Sequence, residues 1–139
     1  MGADFVAPIP SQSAGMGYGY VTVVRSKLVS MVDKELGELL DSASWTGPSG
    51  LVWDIVNQKY DAVIKGLTQI IEVTDDDVTK GVLAFVNHSD CDGEFHGEEC
   101  ELILKALKQL RETDGDVIIE NLIYVFEDAV DNNGIVAIW

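Results

Sequence analysis

The stretch Asn87 to Cys100, NHSDCDGEFHGEEC, gathers most of the chemistry this chain could perform. It holds both histidines and both cysteines of the 139 residues, with five acids and two glycines. Three kinds of chemistry fit these residue types. Carboxylates with backbone carbonyls form an oxygen shell for a hard cation such as calcium. Two His and two Cys can fill a tetrahedral zinc shell, and His88-x2-Cys91-x4-His96-x3-Cys100 is close to a zinc-knuckle spacing. Cys91 with His96 as base could form a nucleophile pair, but no oxyanion-stabilising group accompanies them, so the chain is expected not to be an enzyme.

The same pattern recurs. Residues 82–95, VLAFVNHSDCDGEF, overlie residues 123–136, IYVFEDAVDNNGIV, without a gap. Phe85 falls on Phe126, Asp90 on Asp131, Asp92 on Asn133, Gly93 on Gly134 and Phe95 on Val136. A helix, an acid–glycine turn and an apolar residue two beyond the glycine therefore occur twice. The second copy keeps acid and glycine but has neither Cys nor His, so the repeat encodes the turn and not a zinc shell. Cys100 also fits the apolar face of the helix that follows it.

In these residues the chain resembles the EF-hand family, whose loop D-x-[DN]-x-[DN]-G-x5-E lies between two helices. The resemblance covers residues 74–139. It implies that Asp90, Asp92, Glu99 and the Glu94 carbonyl hold calcium; the rival reading, from the His/Cys spacing alone, is zinc on His88, Cys91, His96 and Cys100. It implies that Gly93 makes the sharp turn and that Phe95 and Val136 face each other on a short antiparallel ribbon. His88 stands where the family has its first Asp, so Asn87 or Ser89 would have to substitute. The second copy has Ala129 there, and the sequence ends at Trp139 before a terminal glutamate.

The elements that must position these residues follow from periodicity. Apolar residues recur at spacings of three and four from Val24 to Leu40, which predicts a helix over 22–42. SASWTGPSG breaks it. A second helix carries a broad apolar face from Leu51 to Ile71. Thr74 is the expected N-cap of a third helix, with Asp75 to Asp77 in its first turn. A fourth helix begins at Gly97, Asp116 caps a fifth, and a β-prone tail ends the chain. The expected fold is an all-α helical domain with paired helix–loop–helix units and a short β-ribbon.

Residues 1–20 read as an arm rich in Gly, Pro and Ser, without helical period and without the G-x-G-x-x-G spacing of a phosphate loop. Its expected anchors are Phe5, Tyr18 and Tyr20. Residues 21–139 form one acidic helical domain. Residues 1–72 carry 8 acids and 5 bases; residues 73–139 carry 16 acids and 4 bases, for net charges of −3 and −12. Such a field repels phosphate backbones, so direct nucleic-acid binding is not expected. It suits a cation, a basic protein partner, or mimicry of nucleic acid. With no signal peptide and no membrane-length apolar run, an intracellular, soluble protein is expected. The expected function is a non-enzymatic acidic interaction module with a degenerate calcium site; the alternatives are a metal-free assembly protein or nucleic-acid mimic on a basic partner, and a small zinc domain.

Overall fold

The structure, a computed structural model, describes residues 2–6, 13–43, 51–87, 93–132 and 134–138. Among the described residues, six helices carry the fold: α1 Tyr18–Val32, α2 Lys34–Ala43, α3 Leu51–Thr74, α4 Asp77–Val86, α5 Gly97–Asp114 and α6 Val117–Asp131. Four short strands accompany them: β1 Gly2–Val6, β2 Ser13–Gly17, β3 Gly93–Phe95 and β4 Val136–Ile138. Among the described residues, no helix is long and apolar enough to cross a membrane.

The helix expected over 22–42 is divided at Asp33. The apolar period runs through this position, so periodicity alone does not reveal the break. Asp33 closes α1 through its backbone N–H, which donates to Val29 (2.9 Å). Its carboxylate then accepts from the Leu36 N–H at 3.0 Å and caps α2. The two helices fold back closely, because Gly37 lies against Ser30 where a β-carbon would clash. α1 buries Val21, Val24, Leu28 and Val29, and it packs on α2, α4 and α5.

The cap expected at Thr74 belongs to Asp76 instead. Thr74 is the last residue of α3, and its hydroxyl donates to the Ile70 carbonyl at 2.8 Å. Asp75 follows with φ 51°, in the left-handed region. That conformation costs a non-glycine residue roughly 1 kcal/mol, and Asp tolerates it better than most. The chain reverses there, and the Asp76 carboxylate accepts from both the N–H (3.0 Å) and the hydroxyl (2.8 Å) of Thr79. Asp116 caps α6 as expected, accepting from the Ile119 N–H at 2.9 Å.

The strands form one antiparallel sheet in the order β2-β1-β4-β3. Phe95 pairs with Val136 across β3 and β4, the register the internal repeat predicts. The arm expected over residues 1–20 contains two strands, β1 and β2, which pair antiparallel and extend this ribbon through Phe5–Ile138 and Val6–Ala137. The hairpin also runs along α6. Phe5 is an anchor as expected, 1% exposed and stacked on Phe85 (5.9 Å between centroids) and Phe95 (6.4 Å). The side chains of Tyr18 and Tyr20 lie outside the described residues.

α4 and α5 cross closely. A β-carbon on Gly81 would meet the Leu102 backbone carbonyl, whereas one on Gly97 would meet nothing within 4 Å. Gly81→Ala should therefore destabilise the protein by about 2 kcal/mol or more, since a backbone oxygen cannot step aside. Gly97→Ala should be neutral, or stabilising by about 0.5 kcal/mol. Urea denaturation of the two variants gives the comparison, and equal midpoints would contradict this packing.

Candidate functional site

The segment 88–92 lies outside the described residues, so the expected ligands His88, Asp90, Cys91 and Asp92 receive no structural account. Its downstream flank is described. β3 brings Glu94 to an exposed position, where its carboxylate lies 3.4 Å from His96 Nε2. His96 is the N-cap residue of α5, and its backbone N–H donates to the Glu99 carboxylate at 3.3 Å. Glu99 thus turns back to satisfy a free amide at the helix start, as the third residue of a capping box does.

Cys100 is fully buried beneath the ribbon, and its thiol donates to the Phe95 carbonyl at 3.3 Å. Burial pushes the thiol up from 9.0 to about 11, against the opposing pull of a hydrogen bond from the Val136 backbone. A thiol so placed keeps its proton near neutral pH, and zinc needs the thiolate.

Among the described residues, no group of three or more His, Cys, Asp or Glu side chains could hold a metal ion. This overturns calcium as the expected cofactor and zinc as its alternative, while the placement of His88, Asp90, Cys91 and Asp92 lies outside the described residues. The physical reasons lie in the same residues. Glu99 is drawn to the α5 amide, Glu94 lies against His96, and Cys100 is sealed in the core. The second copy differs more. Residues 129–131 continue α6, and Ala129 is buried. The Asn132 amide donates to both the Asp128 carbonyl and its carboxylate at 2.8 Å, and the Gly134 N–H donates to the Ala129 carbonyl at 2.8 Å. The acid–glycine signature there follows a helix end that leads into β4.

The remaining acids set the electrostatics. In the half 73–139, three of the four bases lie in ion pairs with acids of the same chain. Lys80 pairs with Asp75 and Asp77, Lys105 with Asp77 at 2.9 Å, and Arg111 with Glu120 at 3.6 Å. The Lys105 ammonium beside Asp77 holds that carboxyl below its ordinary range. From the other half, Lys27 reaches Asp114 at 3.3 Å and Asp116 at 3.8 Å. The charge imbalance is legible in the sequence but these pairings are not, since they join residues distant along the chain, 28 apart for Asp77 and Lys105.

A groove of about 770 Å³ lies where α1, α2 and α5 meet. It joins residues from three separate helices, so no local motif announces it.

Comparison with protein families, with curated proteins and with solved structures finds no match to this chain. The functional reading therefore rests on the residues themselves. In a chain carrying Cys91→Ser, Cys100 should be alkylated at about pH 8 roughly a hundredfold more slowly in the native state than in urea, because its thiolate fraction falls with the raised pKa. The raised pKa also makes folding pH-dependent. Stability is retained below about pH 9 and falls as pH rises towards about 11, since only the unfolded chain ionises freely there; the loss is at most about 3 kcal/mol. Equal alkylation rates in the two states would contradict the burial of this thiol.

Proposed function

We propose that this chain is a non-enzymatic, acidic interaction module that binds a basic protein partner. The carrying observation is the disposition of charge. The chain has a net charge of −15, and Lys27, Lys80, Lys105 and Arg111 are each engaged by its own acids. The exposed carboxylates far outnumber the cations available to them within the molecule. A basic partner would be attracted over a distance and oriented by this field.

The paired helix–loop–helix half is EF-hand-like in layout in this reading. The ungapped repeat and the Phe95–Val136 pairing support it. The layout serves as a packed frame: acids cap the helices, and the ribbon holds the two units together. The interaction role belongs to the acidic exterior.

The test uses an amphipathic helical peptide of Lys and Leu, with its Glu and Leu counterpart as control. At about 150 mM salt the Lys peptide should bind one per chain and weaken steeply as salt rises, while the Glu peptide should not bind. Titration calorimetry reads both. Several Lys peptides per chain, or no binding, would contradict a specific basic-partner site.

A further inference from the structure

We infer that the groove between α1, α2 and α5 is the docking surface for a basic, amphipathic segment of a partner protein. The inference rests on the basic-partner reading and gives it a location. Val23, Met31 and Leu110 supply apolar lining. Val23 is 39% exposed, one of four large hydrophobic residues left exposed among those described. Glu38 and Asp41 on α2 and Asp114 on α5 supply three exposed carboxylates around that lining. Among the described residues, the one cation lining the groove is Lys27, already 3.3 Å from Asp114 and 3.8 Å from Asp116. An apolar floor with a negative rim matches a segment that buries aliphatic side chains and presents Lys or Arg at its edges.

The shape favours a chain segment over a compact ligand. A second depression of about 430 Å³ shares Met31 and Gln109 with the first and continues between Ile70 and Val78. The two together make a trough across the helices. Its α1–α2 wall is held by the close approach of Gly37 to Ser30. Under the lining, the buried Ser26 hydroxyl has no hydrogen-bond partner among the described residues. A docked polar group could satisfy it after a turn about one side-chain bond. A second copy of the same chain would bring a like net charge to this rim, which opposes self-association there.

The experiment uses the full chain and the Lys/Leu peptide. One variant neutralises the rim, Glu38→Gln with Asp41→Asn and Asp114→Asn. A control variant, Glu72→Gln with Glu98→Gln and Glu101→Gln, removes the same charge from exposed acids elsewhere. Circular dichroism confirms that both are folded. The rim variant should bind about tenfold more weakly, as three exposed pairings are lost, and the control within about twofold of the parent. Val23→Ser should also weaken binding, severalfold, without changing its salt dependence. If both triple variants weaken equally, charge acts diffusely and the groove assignment falls while the basic-partner reading stands. If the parent chain binds no Lys/Leu peptide, the basic-partner reading itself falls and the groove assignment with it. Sedimentation showing a dimer that the rim variant dissociates would replace the partner segment with a second copy.

Discussion

All four phenylalanines of the chain meet in one cluster, and the rest of the fold is arranged around it. Phe85 comes from α4, Phe95 from β3, Phe126 from α6 and Phe5 from β1. Phe95 sits at the centre, stacked on Phe85 at 6.0 Å and meeting Phe126 edge-on at 5.5 Å. Each ring is no more than 1% exposed. Aromatic pairs of this kind contribute about 0.5–1.5 kcal/mol each beyond the area they bury. The cluster joins both copies of the internal repeat to the paired strands β1 and β2, which also lie along α6.

The ribbon depends on the same point. Phe95 directs its ring into the cluster, its carbonyl accepts the Cys100 thiol, and its strand partner is Val136, which is buried as well. This geometry explains why Glu94 and Glu99, the described acids of the first loop, do not converge on an ion. Packing fixes Phe95, α5 must then start at Gly97, and the exposed amide at that start draws Glu99 back. The residue types of a cation loop are present, but the Glu99 carboxylate caps a helix and the Glu94 carboxylate lies beside His96 at the surface.

The sequence makes part of this legible. Repetition over 82–95 and 123–136 specifies the Phe95–Val136 register, because an apolar residue two beyond a turn glycine has one buried place to go. Asp116 is readable as a cap because an apolar run follows it directly. Other features are hidden for stated physical reasons. Asp33 interrupts α1 and α2 without interrupting their apolar period, so only its side chain marks the break. In Asp75-Asp76-Asp77 any of three identical residues could cap α4; the left-handed conformation of Asp75 selects Asp76. The strands at Gly2–Val6 and Ser13–Gly17 are glycine-containing and weak in intrinsic preference. They form because β4 offers an edge and the cluster offers Phe5 a pocket, and both are non-local. Asp131 looks like a ligand by alignment with Asp90, yet it lies in α6, since nothing in that copy ends the helix until Asn132.

Native-state hydrogen exchange tests the central role of the phenylalanine cluster most directly. The amides shared between β1, β4 and β3 should exchange together, with protection close to that of the helix cores of α4 and α6. In Phe5→Ala, protection should fall across all three strands at once, because one cluster holds them. Free exchange of residues 2–6 in the parent chain, with β3 and β4 still fully protected, would show that the hairpin is not tied to the core and would contradict the account.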